Sequence, residues 1–165
     1  MRTTLFLLLF CIIASLSSGA QNGNQSIEQS FQSFKKMTDV SFFEVSDEMF
    51  KMLAEAKTTP PELKEYYRQL SCLRMIEFQG PRDSERQSLY EPFLSQTNLK
   101  DFSRLMVSER SDDKISFLRN KGKSGENEFL LVSNKAVIYV LGSIDLNSIH
   151  EFQMVLEVAG SAFEK

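Results

Sequence analysis

His150 is the one histidine of the chain, and Cys11 and Cys72 are its two cysteines. A serine-type triad or a zinc site built on His150 needs companions at set spacings: a His-x-x-x-His pair, a cysteine pair, or a Gly-x-Ser-x-Gly turn. The sequence holds none of them, so His150 reads as a partly exposed residue early on a last helix. Cys72 lies in a strand pattern with Arg74 nearby. A reactive thiol wants a basic, open setting or a Cys-x-x-Cys motif; with no second cysteine beside it, Cys72 reads as a buried structural thiol. Gly122-Lys123-Ser124 looks like the tail of a phosphate-binding loop, yet Phe117 stands where that motif needs another glycine. The motif also needs a helix to follow, so that backbone N–H groups face the phosphate, and Phe129 onward reads as strand. These three residues are therefore assigned to a hairpin loop.

Acidic residues give two further candidates. Glu109, Asp112 and Asp113 gather at a hairpin tip, and Asp47 with Glu48 opens a helix. Paired acids can do glycosidase chemistry or hold calcium, but these have ordinary work in a turn and at a helix start. No calcium-loop alternation of acids around a central glycine occurs. Arg119, Lys121 and Lys123 make the 119–126 loop basic, but Glu126 and Glu128 follow at once. The sequence therefore assigns no catalytic, cofactor-binding or metal-ligating residue, expects no cofactor, and leans away from an enzyme.

The elements around these residues read as follows. Ile27, Phe31 and Phe34 recur at helical spacing. Val40–Val45 is a first strand, and Ser46 or Asp47 caps a helix whose inner face is Met49, Met52, Leu53 and Ala56. Thr59-Pro60-Pro61-Glu62 has the spacing of a capping box, with Thr59 as the cap. The helix it opens buries Leu63, Tyr66, Tyr67 and Leu70, and Cys72–Phe78 is a second strand. A helix over 84–97 has two candidate starts, and Pro92 favours the later one, at Ser88, because proline is costly in a helix interior. From Phe102 the period changes to two. Strands at Phe102–Glu109, Ile115–Arg119, Phe129–Val132 and Ala136–Leu141 form hairpins. A final helix follows from Asp145, with Ile149, Phe152, Leu156 and Ala159 on one face. The fold class is α+β, a mostly antiparallel sheet with a C-terminal four-strand meander, packed by helices.

The last two strands put apolar residues on both faces: Leu131 against Val132, and Ile138 against Tyr139. A sheet with one wet face alternates apolar with polar. These strands are therefore expected mid-sheet, with one face packed on the last helix and the other covered by more helix or by a second protein.

The N-terminus carries an export signal. Arg2 precedes the apolar Leu5–Ala14, and Ser18 and Ala20 supply the small residues ahead of a cut between Ala20 and Gln21. Leu5–Leu16 is too short to span a bilayer, which takes about 20 apolar residues. Phe10 before Cys11 spoils a lipid-attachment pattern. The expected organisation is a signal peptide over 1–20, a flexible N-terminus over 21–26, and one α+β domain over 27–165. Losing Arg2 moves the net charge from −3 to −4. An acidic chain with no basic block argues against nucleic acid and anionic membrane surfaces. Cys72, alone after cleavage, has no intrachain disulfide partner.

Residues 99–146 also resemble a known family. The features are Phe102, Leu105 and Met106 at a strand entry, the glycine-containing loop, Leu130-Leu131-Val132-Ser133, and Leu141-Gly142-Ser143-Ile144-Asp145-Leu146. Together with Val45-Ser46 and Leu73-Arg74-Met75-Ile76, their order and spacing resemble domain of unknown function 4252. The resemblance implies a small exported protein of Bacteroidetes and a Gram-negative envelope location, and it points to no particular activity. The function expected is a non-catalytic binding or interaction module of the cell envelope, periplasmic or secreted, without stable membrane insertion. Its expected partner is an envelope protein or a second copy of the chain. The alternatives are an envelope hydrolase using dispersed carboxylates and a structural accessory at the outer membrane.

Overall fold

The structure is a computed structural model that describes residues 26–80, 83–109, 114–121 and 125–144. The chain opens with helix α1 (Ile27–Phe34) and strand β1 (Val40–Ser46), followed by helices α2 (Asp47–Glu55) and α3 (Pro61–Gln69). Strand β2 (Leu70–Phe78) and helix α4 (Asp83–Gln96) come next. The chain then runs through β3 (Ser103–Glu109), β4 (Lys114–Lys121), β5 (Asn127–Ser133) and β6 (Ala136–Gly142).

The strands form one antiparallel sheet in the order β1-β2-β6-β5-β4-β3. The chain crosses from β2 to the far edge through α4, and the β3–β6 meander then steps inward until β6 pairs with β2. This places β5 and β6 mid-sheet, as their apolar composition requires. The turn between them is tied by Ser133, whose Oγ accepts from Lys135 and Ala136 N–H. At the outer edge β3 is bulged between Arg104 and Met106, a device that discourages another strand from pairing there.

Both faces of the sheet are covered. Phe50 and Ala54 of α2 and Tyr67 of α3 pack with Val45, Leu73, Phe117, Phe129, Ile138 and Val140. On the opposite face, Ile27, Phe31 and Phe34 of α1 and Phe93 of α4 pack with Ile76, Phe78, Leu118, Leu130, Val132, Val137 and Tyr139. Ile138 and Tyr139 are thus both buried, on opposite sides, and so are Val132 and the half-buried Leu131. The sheet is the middle of three layers.

Five local expectations need correction. Met49 and Met52 are not the inner face of α2; they are exposed, Met52 at 66%. The helix begins directly after β1, with Ser46 Oγ accepting from Met49 N–H, and that phase turns Phe50, Leu53 and Ala54 inward. Thr59 does not cap α3. Its hydroxyl donates to Leu53 O at 2.7 Å, tying down the end of α2, and α3 starts on Pro60 and Pro61 with no side-chain cap. Proline at the first position needs little capping, because its missing N–H is one that would lack a helical partner anyway.

The 83–96 helix does not begin at Ser88; it starts at Asp83 and carries Pro92 inside. Phe93, fully buried between α1 and the sheet, offsets the proline's cost. Arg119 and Lys121 belong to β4 rather than to a loop. Ser26, placed by sequence in the flexible tail, caps α1 in a capping box with Gln29. The expected helix after Asp145 and the 1–20 signal lie outside the described residues. Among the described residues, no helix is long and apolar enough to cross a membrane.

Gly142 is required by a close approach. A Cβ there would lie 2.1 Å from Gln69 O, at the junction where α3 becomes β2. The neighbouring Ser143 N–H donates to the same carbonyl at 2.8 Å.

Candidate functional site

Charged residues in the middle of strands are unusual, because desolvating a charge is costly unless it is paired. Glu44 stands in β1 between Phe43 and Val45, and Arg74 stands in β2 between Leu73 and Met75. The register sets Glu44 directly opposite Arg74, and Arg74 directly opposite Tyr139 on β6. Two residues along, the next row on the same face runs Ser46, Cys72, Leu141, Glu128 and Asn120. These rows lie on the α1 face, at the end where α1 begins.

Arg74 is the centre of the arrangement. Its Nε donates to Glu44 at 2.7 Å, and its Nη1 bonds Glu28 from the first turn of α1. Its side chain is 17% exposed. Burial works against its charge, but the hydrogen bond it donates to Glu44 and the charges around it outweigh that, and the guanidinium is held more firmly protonated than usual. The Cys72 thiol is pushed up to about 11, first by burial and then by Glu44 and Glu28, with Arg74 opposing. Glu128 is raised by burial and by the charges of Asp101 and Glu126, while hydrogen bonds with Asn120 and Tyr139 oppose the rise. The Tyr139 phenol is raised by burial and by Glu128.

Chemically, this arrangement holds charge without offering it. Thiolate is the nucleophilic form of cysteine, and a thiol raised to about 11 is protonated at neutral pH. The guanidinium already grips two carboxylates. Among the described residues, no group of three or more His, Cys, Asp or Glu is placed to hold a metal ion.

The structure brings Cys72 and Arg74 together, as their spacing suggested, and adds Glu128, which the sequence marks only as an acid following the basic 119–126 loop. Glu126 accepts from Ser71 Oγ at 2.6 Å. Arg119 lies over the Phe129 ring at 5.5 Å and donates to Asn127, whose amide holds Ile144 O. Asp47 and Glu48 sit in the first turn of α2, with Asp47 paired to Lys51. Phe117, where the motif needs a glycine, is a buried strand residue, and Asn127–Ser133 is a strand where the motif needs a helix. Gly122, Lys123, Ser124, Asp112, Asp113, His150, Ala20 and Gln21 lie outside the described residues, as does the Glu109 side chain. Sequence reasoning missed Glu28, Glu44, Asn120 and Tyr139. A usable signal existed for Glu44: one acid in β1 and one base in β2, each flanked by apolar residues, are natural cross-strand partners.

An open hollow of about 260 Å³, lined by Glu77, Phe78, Gln79, Gly80 and Lys135, lies at the other end of β2 from Cys72. It does not touch the ionic row.

Residues 34–152 match the family described as Domain of unknown function (DUF4252), and the chain belongs to that family. The matched stretch contains the whole sheet and every member of the ionic row except Glu28. No curated protein and no solved structure matches the chain.

Proposed function

We propose that this family member is an exported cell-envelope protein that acts as a non-catalytic binding or interaction module. The observation that carries the reading is the state of the ionic row: Arg74 is neutralised by Glu28 and Glu44, and Cys72 is held as a thiol. The charges of Arg74, Glu28 and Glu44 are spent on joining α1 to the sheet. The signal anatomy of residues 1–20 supports export to the periplasm or beyond, with the mature chain beginning at Gln21. Two measurements test this together. Intact mass of the envelope form should correspond to a chain starting at Gln21 without lipid. The same chain used as bait in envelope extracts should retain a partner that a Cys72→Ser chain retains equally. An unprocessed or acylated chain, or a partner lost with Cys72→Ser at unchanged stability, contradicts the proposal.

A second reading, hydrolysis by dispersed carboxylates, has one residue in its favour. Glu128 is a half-buried carboxyl held above its ordinary pKa with Asp101 and Glu126 near, and raised carboxyls serve as general acids. Glu128→Gln separates the readings. Loss of a biological effect with full stability supports hydrolysis, and an unchanged effect supports binding.

A further inference from the structure

The binding reading leaves open where a partner docks, and helix α1 points to the place. It is eight residues long, well short of the roughly 12–15 residues at which an isolated helix becomes even marginal in water. Docking therefore holds it in place. Ile27, Phe31 and Phe34, spaced as anchors on one helix face, enter a groove walled by aromatic rings. Phe31 meets Phe93, Tyr139 and Phe42 at centroid distances of 5.6, 6.1 and 6.4 Å, and Phe34 meets Phe93 and Phe78 at 5.2 and 6.4 Å. Arg74 stands at one rim, gripping Glu28, and Thr97 stands at the other, with its Oγ1 2.8 Å from Ser30 Oγ.

Three features make α1 an occupant of this groove rather than a fixed part of it. Its capping box satisfies the Ser26 and Gln29 N–H groups from within the helix itself rather than from the groove. It joins β1 through residues 35–39, all exposed, and β1 has its own seven-residue ladder to β2. The family match begins at residue 34, so the groove residues Phe42, Arg74, Phe78, Phe93 and Tyr139 lie inside it while Ile27, Glu28 and Phe31 lie ahead of it.

We infer that the aromatic groove beneath α1 receives an amphipathic helix of a partner protein, and that α1 is its built-in competitor. The partner helix carries a carboxylate followed three and six positions later by aromatic residues, the Glu28, Phe31 and Phe34 pattern that matches Arg74 and the ring-lined walls. A second copy of this chain is the weaker candidate. Its α1 makes only the contacts already made, against a tethered helix whose effective concentration is on the order of millimolar. A partner helix longer than two turns adds contacts at the groove ends and can win.

The inference rests on the binding-module reading, and the test keeps the two apart. The probe is a fluorescent peptide of residues 26–36, titrated into the chain lacking residues 1–20 and followed by anisotropy. A Phe31→Ala chain, with its own helix weakened, is expected to bind the peptide at least tenfold more tightly than the wild-type chain. If Phe31→Ala impairs folding by circular dichroism, Glu28→Lys loosens α1 without a cavity and takes its place. Arg74→Glu in the loosened chain should weaken binding at least tenfold, and a peptide carrying Glu28→Lys should restore it. Absence of saturable binding to the loosened chain, or binding indifferent to Arg74→Glu, overturns the inference. A concentration-dependent dimer of the loosened chain by sedimentation overturns it as well, by giving the groove to a second copy. If the peptide fails while envelope extracts still yield a partner of the wild-type chain, the groove assignment falls and the binding module stands.

Discussion

On the α2/α3 face, the layers meet through apolar side chains: Phe50, Ala54 and Tyr67 of the helices cluster with Val45, Leu73, Phe117, Phe129 and Val140 of the sheet. Polar groups at its margin, Arg119 and Asn127, serve a ring and a backbone carbonyl. The α1 face has an equally apolar centre but ends in a row of ionisable groups, with Arg74 joining two strands and a helix. The difference is one of specificity. Apolar packing is non-directional and tolerates sliding, whereas a guanidinium bonded to two carboxylates fixes position at a cost in desolvation. One face supplies stability, and the other adds an address.

The largest expected effect tests whether both faces are buried. Ile138→Asp and Tyr139→Asp each bury a charge, on opposite sides, and each should cost about 3 kcal/mol or more in urea unfolding. A near-neutral result at either position would remove that face from the core. Gly142→Ala comes next. Its Cβ meets Gln69 O, a backbone atom, and relief needs a shift of the α3–β2 junction, so a loss of about 2 kcal/mol is expected.

Arg74→Met sharpens the contrast between the faces. Leaving Glu28 and Glu44 without their cation should cost about 1–3 kcal/mol, and adding Glu44→Gln should recover part of it. On the other face Met75→Leu should cost less than about 1.5 kcal/mol, as a swap of similar volume.

A smaller effect appears at alkaline pH. The folded Cys72 thiol has a pKa above its ordinary value, so its stabilisation is complete below the unfolded pKa and disappears as pH rises through about 11. Tyr139, also raised, acts in the same direction. Thermal midpoints should therefore fall between pH 9 and 11, and Cys72→Ala should flatten that fall. Met52→Ser, on the exposed side of α2, should change stability by no more than about 0.5 kcal/mol.

Much of this architecture was legible from side-chain period alone. The double apolar runs at 129–132 and 136–141 reported burial on both faces before any pairing was known, because a wet face would have required polar alternation. The antiparallel meander followed from the turn residues Asp112-Asp113 and Asn134-Lys135 between short alternating runs. What escaped was whatever depends on phase or on distant partners. Met49 and Met52 fit a helical stripe as well as Phe50 and Ala54 do, and the end of β1 decides between them. Pro92 argues against a helix locally, and only the tertiary contacts of Phe93 outweigh it. Glu28, Glu44 and Arg74 are 46 and 30 residues apart in sequence, and nothing short of the β1–β2 register brings them together.

Segment-resolved hydrogen exchange on the full chain tests the contrast between the faces most directly. The account predicts that α2 and α3 exchange with the sheet, in one global opening, while α1 opens earlier as a separate unit. Arg74→Met should then accelerate exchange in α1 more than in β5 and β6. Amides of α1 as slow as those of β6, or an equal acceleration everywhere, would contradict it.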